Sequence, residues 1–533
     1  MPDPEALASC SLGDEAFARG DYPEAVRAYR RALAASPVPE ASNNLGNALM
    51  LLGDLPGALA AYLEADCPDA WINASVAARA LGDLDQASGL LQRALQAQPG
   101  NALALGSLGN LFKDLGRMDV ALACHREALA LDPGDPVAMG NLAYLRAFDP
   151  EASADDVLQE ARAFDRIHAQ GLRGAAPRGG PGPRLRIGYV SPDFRYHCQA
   201  FFTVPLFTHH DRRAFEIHAY SSVRHPDAVT EQLRACCDVW RDCAGLTDEA
   251  LAALVRADGI DILVDLTMHM AGGRPLLFAR GPAPAQVAWL AYPGTTGLSA
   301  MDYRLTDPYL DPPGITDAGY AERSIRLPHT FWCYHPLAEG PGPGPLPALA
   351  AGHVTFGCLN NPCKVNRAVL ALWDRVLQAV PGSRLRLLAH AGRHRQLILD
   401  AFTDPARIDF TPFLPRRDYL ELYRTIDICL DTFPYNGHTT SLDAFWMGVP
   451  VVTRVGATVV GRAGWSQLRN LGLPELAAWD DDSFVGIAAE LAGDLPRLAE
   501  LRAGLRPRME ASPLMDAGRF ARDIEAAYRR MAT

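Results

Sequence analysis

The chain is nearly without lysine. Of its 50 basic residues only Lys113 and Lys364 are lysine, so its positive charge is written almost entirely as arginine. A lysine kept against that bias suits a place where a compact ammonium is needed as a point charge, such as beside a phosphate, and a planar guanidinium does not fit. Chance retention on a solvated face accounts well for Lys113 and less well for Lys364, given its surroundings. Positive charge in excess is missing too: 62 acidic residues leave a net charge of -12, without the basic field that a general nucleic-acid binder uses to displace counterions. No apolar run approaches the roughly 20 residues of a membrane span. The opening MPDPEALASCSLGDEAF has neither a basic n-region nor an apolar core, so the expectation is a cytoplasmic protein with no membrane span and no nucleic-acid partner. The 11 cysteines include no CxxC pair, which favours reduced thiols over a disulfide framework. Cys358 and Cys363 stand near His353 at a spacing that suits no common ligand set, and no metal is expected. Asp480-Asp481-Asp482 reads as the cap of a helix starting at Ser483 rather than as a metal motif, and His209-His210 and Cys236-Cys237 read as incidental.

At 533 residues the chain holds about three domains. The first 150 residues repeat themselves. Gly20-Asp21, Gly53-Asp54, Gly82-Asp83 and Gly116-Arg117 recur at intervals of 33, 29 and 34 residues, each followed by Ala25, Ala58, Ala87 or Ala121. Paired helices with small residues at their crossings give this period, and about four such units predict a short superhelix. Asn44, Asn73, Ser107 and Asn141 form a second series spaced by 29, 34 and 34 residues. Asparagines along one face can grip a peptide backbone, because an amide both donates and accepts; each can equally bond a neighbouring helix. Both readings stay open for Asn44, Asn73 and Asn141. A helix and a Pro/Gly linker follow over 151–184, where GLRGAAPRGGPGPR cannot form regular structure.

Strands at 185–190, 217–220 and 260–266 alternate with helical stretches, which predicts a parallel sheet over 185–339. After a second break at 340–350, strands at 353–356, 384–388, 408–410, 426–430 and 449–453 predict another over 351–533, closed by a helix at 515–531. Parallel sheets of this kind bind ligands at the carboxyl ends of their strands. There lies DTFPYNGHTTSLDAFWMGVP, residues 431–450, between a buried strand and a helix beginning near Ser441. Free amides at a helix start attract anions. Gly437 permits close backbone approach, His438, Thr439 and Thr440 supply donors, and Asp443 is placed for a ribose hydroxyl. The plainer alternative is a threonine N-cap on an ordinary helix.

Taken together, the repeats followed by LRIGYVSPDF, AYPGTTG, FGCLNNPCK and DTFPYNGHTTSLD resemble the protein O-GlcNAc transferase family of tetratricopeptide-bearing glycosyltransferases. That resemblance implies a tetratricopeptide superhelix followed by an α/β GT-B fold of two facing Rossmann-like domains. It further implies inverting, metal-independent transfer of GlcNAc from UDP-GlcNAc to protein Ser or Thr, with no cofactor beyond this donor and with acceptor proteins recruited by the repeats. It places Lys364, Asn361, His438, Thr439 and Thr440 at the diphosphate and Asp443 at the ribose. Leu414 would meet the base, with Arg416 or Tyr419 covering it; some members carry Lys and His where Arg416 and Tyr419 stand. Tyr292, Pro293 and Gly294 would lie against the sugar, and Tyr435 near its N-acetyl side. His197 would be the catalytic base or a positioning group, with His269 secondary. Two other readings remain: fucose transfer from GDP-fucose by the same fold, against which GHTT at 437–440 speaks, and an inactive repeat scaffold.

Overall fold

The computed structural model describes residues 3–174, 182–337 and 340–532, so part of the expected Pro/Gly linker, residues 175–181, lies outside the described residues. The chain divides into two compact units: Met1–Ala138 with Ala389–Asp400, and Met139–Leu388 with Ala401–Thr533.

The first unit holds four helix pairs: Pro4–Ala18 with Tyr22–Ala35, Pro39–Leu52 with Leu55–Ala65, Pro68–Ala80 with Leu84–Ala97, and Ala102–Asp114 with Met118–Leu131. The recurrent Gly-Asp step has a local cause. Gly20, Gly53 and Gly82 turn the chain at φ near +80°, a region glycine enters without steric cost. Asp21, Asp54 and Asp83 then cap the next helix, accepting from Glu24 N, Gly57 N and Gln86 N. Within a pair, a Cβ built on Gly13 would lie 2.5 Å from the Tyr29 ring, so a small residue in one helix seats the large ring of the next. The repeat array ends earlier than residue 150: the helix Pro136–Leu145 groups from Met139 onward with the second unit. Residues 389–400, expected in the C-terminal sheet domain, group with the repeats, where Asp85 accepts from Arg393 N at 3.0 Å.

The second unit contains two parallel sheets. The first comprises β1 (Leu185–Ser191), β2 (Phe215–Ser221), β3 (Val239–Asp242), β4 (Ile262–Asp265), β5 (Ala285–Ala288), β6 (Tyr303–Thr306) and β7 (Arg323–Arg326), in the order β3-β2-β1-β4-β5-β6-β7. The second comprises β8 (Thr355–Cys358), β9 (Arg384–Leu388), β10 (Ile408–Thr411), β11 (Ile428–Leu430), β12 (Val451–Arg454) and β13 (Ala477–Ala478), in the order β10-β9-β8-β11-β12-β13. β1 is buried from Ile187 on and β11 throughout, as strands covered on both faces must be. Strand order reverses beside β1 and beside β8, which places crevices at the carboxyl ends of both.

Two expectations need correction. The stretch 340–350 is no free linker: it carries the short helix Ala348–Ala351, and Arg506 and Arg502 donate to Pro341 O (2.8 Å) and Pro343 O (3.0 Å). The last helix, Ala517–Met531, does not close the second sheet domain but packs on the first. Tyr528 OH meets Tyr189 OH at 3.0 Å, and Glu525, buried, accepts from Asp211 N at 2.7 Å and pairs with His210 at 3.1 Å. A buried carboxylate needs such partners, and the turn after the helix Ala200–His209 supplies them. His210 is therefore a structural residue. The acidic triplet caps a helix as expected, one that begins at Asp481 with Asp480 as its N-cap.

Candidate active site

Three loops of the second sheet build one wall of the site. β11 runs into Asp431, which is buried and accepts from Gly437 N (2.6 Å), Thr432 N (2.8 Å) and Thr453 Oγ1 (2.7 Å). These bonds fold residues 431–438 into a compact turn ahead of the helix Thr439–Trp446. His438 occupies the N-cap position, and no side chain caps the helix. Its Nε2 is buried with no hydrogen-bond partner among the described residues, and burial, reinforced by Lys364, pushes its pKa well below 6.5. A neutral imidazole with an unused ring nitrogen at an uncapped helix start is an anion-facing arrangement.

Lys364 arrives from the loop after β8. Its Nζ donates to Asn436 O at 2.7 Å and stands 4.2 Å from the Tyr435 ring centroid. Among the described residues no carboxylate lies within ion-pair distance of it, and burial lowers its pKa below 10.5. Asn361 instead faces outward, using Oδ1 to cap the turn Pro362–Lys364. The inward neighbour is Asn360, which sequence reasoning missed. Its amide donates to Thr432 Oγ1 (3.0 Å) and Asp431 (3.3 Å), and its Oδ1 accepts from Thr440 Oγ1, binding the lysine loop to the helix start.

The residues expected at the base are already engaged with one another. Arg416 grips Asp443 with both terminal nitrogens (2.6 and 2.7 Å), and Tyr334 OH donates to Asp443 at 2.6 Å. Tyr419 OH meets Tyr423 OH at 2.7 Å, while Phe413 and Leu414 are exposed. Asp443 thus stands in a buried ion pair, and Tyr334, from the far side of the first sheet domain's last loop, is a contributor that no local motif announces.

The first sheet supplies the opposite wall. His197 follows β1, with Nδ1 3.6 Å from Asp193 and accepting from Gln199 N at 3.4 Å. Burial lowers its pKa, Asp193 raises it and Arg195 lowers it, the net direction being downward. The loop of Tyr292, Pro293 and Gly294 is anchored through buried Glu322, which accepts from Thr295 Oγ1 (2.7 Å) and Thr296 N (2.6 Å). His269 is tied to Thr296 O at 2.7 Å and so supports this loop. Two aromatic residues from 139–148 complete the wall: Tyr144 packs on Tyr292 (5.2 Å) and Phe148 stacks on Tyr435 (4.4 Å, 25°), which in turn lies 4.9 Å from His438. Neither carried a signal in the sequence, since both follow a repeat pattern that accounts for apolar residues.

Of the repeat asparagines, Asn44 donates to Asp14 (3.2 Å) and Asn73 to Asn43 (3.0 Å), each on the preceding repeat; Asn141 is half-buried in the second unit.

This geometry coincides with what comparison finds. The model of Glycosyl transferase family 41 matches residues 164–335 and 346–524, the two sheet domains that carry these walls. The chain belongs to glycosyl transferase family 41. A tetratricopeptide repeat model matches residues 10–75 and 72–136. An O-GlcNAc transferase mutant from Thermobaculum terrenum has a structure that superposes with a TM-score of 0.85 at 36% identity, covering 100% of this chain and 98% of that one. That match establishes the GT-B architecture. The probable UDP-N-acetylglucosamine–peptide N-acetylglucosaminyltransferase SPINDLY of Solanum lycopersicum is 41% identical over 363 residues, 66% of this chain and 39% of its own length. The UDP-N-acetylglucosamine–peptide N-acetylglucosaminyltransferase of Caenorhabditis elegans is 26% identical over 489 residues, 68% of this chain and 42% of its own. The chain thus spans well under half the length of these family relatives.

Proposed function

We propose that the protein transfers GlcNAc from UDP-GlcNAc to Ser or Thr hydroxyls of polypeptides, inverting the anomeric carbon. The observation that carries this reading is the pair of desolvated donors at one helix mouth, Lys364 without a carboxylate partner and His438 with an unused Nε2. Groups so placed fit a diphosphate, whose charge they would receive as it forms. The acceptor oxygen attacks C1 of the sugar from the face opposite the diphosphate. The C1–O bond breaks with its electron pair going to UDP, and the hydroxyl proton leaves to a base. Lys364, His438 and the amides of Thr439 and Thr440 take up the growing charge, so that the chain's own groups do the work a metal does elsewhere. His197, its pKa held below 6.5, is neutral at pH 7 and available for the proton or for holding the sugar. Asn361 and Leu414 are assigned to the outer rim of the donor.

The aromatic run Tyr292, Tyr144, Phe148 and Tyr435 supports a sugar-facing wall between the two sheets. The tetratricopeptide match supports recruitment of acceptor proteins by the repeats, with Asn44, Asn73 and Asn141 as candidate contacts. Among the described residues no helix is long and apolar enough to cross a membrane and no disulfide joins the cysteines; a cytoplasmic location fits the latter. Thermal stabilisation tests the donor directly. UDP and UDP-GlcNAc should raise the melting temperature, since a ligand at 100 times its Kd adds about 2.7 kcal/mol to the folded state. A response to GDP-fucose alone would replace this reading with fucose transfer, and no response to any nucleotide would leave a scaffold.

A further inference from the structure

A second cavity, of about 860 Å³, opens where the loops after β1, β2, β3 and β4 converge at the carboxyl edge of the first sheet. The donor-facing residues described above leave it unused. Its floor is held: Arg274 donates to Asp248 (2.7 Å) and to the carbonyls of Cys243 (3.3 Å) and Leu246, pinning the loop after β4 to the loop after β3. Gly272, at φ +79°, lets the loop after β4 close on the loop after β1, where a Cβ would come within 2.9 Å of Pro192.

The charges lining this cavity are unevenly committed. Asp227 accepts from Tyr196 N (2.7 Å), Val229 N (2.9 Å) and Thr230 N (3.0 Å), Asp248 is held by Arg274, and Asp193 faces Arg195 (3.3 Å) and His197. Arg224 and His225 are exposed at the rim, with no hydrogen bond or ion pair among the described residues. The acidic groups thus have their acceptor sites engaged, and Arg224 is the cation of the lining left without a partner among the described residues. The strip Asp193–Cys198 is a wall common to this cavity and the donor cleft: Asp193 and Arg195 line the cavity, while Cys198, beside His197, lies within electrostatic reach of Lys364.

We propose that this cavity is an acceptor subsite that takes the carboxylate of an Asp or Glu side chain close in sequence to the modified hydroxyl. The inference rests on the transfer reading above. An extended chain advances about 3.3–3.6 Å per residue, so a hydroxyl at His197 puts side chains within about four positions over the cavity. The Arg224 guanidinium sits on an open rim rather than in an enclosed pocket, which suits a side chain arriving on a passing polypeptide better than a small molecule, whose sites bury most of its surface.

The test uses the full chain with UDP bound and matched serine peptides that carry Asp, Asn or Lys at one of the four positions on either side. Binding is read by fluorescence anisotropy and transfer by KM. Wild type should bind the best Asp peptide about fivefold more tightly than its Lys counterpart, the scale of one exposed charge pair. Arg224→Glu should abolish or invert that order while leaving the UDP-induced thermal shift unchanged, which shows that the fold and donor site are intact. The same preference in both proteins, or no binding of any peptide, overturns the subsite. Stabilisation of wild type by free glutarate without any peptide preference also overturns it, assigning the rim to a small anion. Charge-selective binding without any transfer from UDP-GlcNAc would instead sink the transfer reading and leave the carboxylate site standing.

Discussion

Replacing Lys364 by methionine isolates its charge, because a thioether fills most of the same stem. In the structure the ammonium uses one of its three donors, on Asn436 O at 2.7 Å, and rests 4.2 Å from the Tyr435 ring without a carboxylate partner. Burial lowers its pKa against the pull of Asp431, so the site holds a cation with no carboxylate at ion-pair distance among the described residues. Two unit charges about 4 Å apart interact by about 4 kcal/mol at an effective dielectric near 20. Only the part gained as the C1–O bond breaks enters kcat, and loss of one preorganised donor to a developing oxyanion costs about 2.7–4 kcal/mol, or 100- to 1000-fold. K364M should therefore lower kcat for UDP-GlcNAc turnover by about two to three orders of magnitude, while UDP affinity falls less than about tenfold. Its melting temperature without ligand should stay level or rise, because an uncompensated buried cation has been removed. UDP release, calorimetric UDP titration and a thermal melt measure the three quantities. Turnover within threefold of wild type would refute the charge assignment, on the scale where 1.4 kcal/mol is tenfold. A fall of several degrees in melting temperature would instead make Lys364 a structural residue.

Asp443→Asn should destabilise the fold by about 3 kcal/mol, since it leaves the Arg416 guanidinium buried with half its pair gone; Asp443→Leu with Arg416→Met should recover part of that loss, and equal melting temperatures for the single and double variants would show the pair to be uncoupled. Asp193→Asn removes the group that raises the His197 pKa against burial. The acid limb of kcat/KM, where His197 gains a proton, should therefore move to lower pH, and an unmoved limb would mean that His197 does not titrate in the rate. Phe148→Ala removes a ring stacked 4.4 Å from Tyr435, an interaction of about 1 kcal/mol beyond its area. It should raise the KM for UDP-GlcNAc while leaving UDP binding unchanged, and equal losses for both ligands would reduce Phe148 to general packing.

What could be read from sequence was local. The Gly-Asp steps announce helix pairs because the turn and its cap sit in adjacent residues, and DTFPYNGHTT announces a phosphate site because Asp431, Gly437, His438 and Thr440 lie within ten positions. The first sheet's strands β3, β5, β6 and β7, reading VWRD, AQVA, YRLT and RSIR, have no apolar run, and pairing with neighbours makes them strands. Tyr334 reaches Asp443 across 109 residues, and Tyr528 reaches Tyr189 across 339. No spacing rule carries such contacts. The end helix was assigned to the wrong sheet for the same reason: its amphipathic face shows that something covers it, and only the partner of Glu525 shows what.

Those long-range contacts bear on how donors are selected. Asp311, after β6 in the first sheet, accepts from Arg304 (2.8 Å) and pairs with Arg462 of the second sheet domain (3.3 Å), while Asp307 accepts from Ser466 at 2.7 Å. All five side chains are buried. With Tyr334 on Asp443, they fasten the two sheets at separate points. Breaking one buried ion pair costs about 3–5 kcal/mol and losing a hydrogen bond to a charged group about 1.5–3 kcal/mol, so a wide opening that broke the Arg462–Asp311 pair and the Tyr334–Asp443 bond together would consume much of the binding energy of a micromolar ligand, about 8 kcal/mol. Lys364 and His438 on one wall and His197 on the other are therefore held at nearly fixed spacing before a donor arrives. Under the proposed transfer, discrimination between donors would then fall to parts that can move without that loss, chiefly the exposed Phe413-Leu414 turn, expected at the base, and the Tyr435 and Phe148 rings, expected at the sugar.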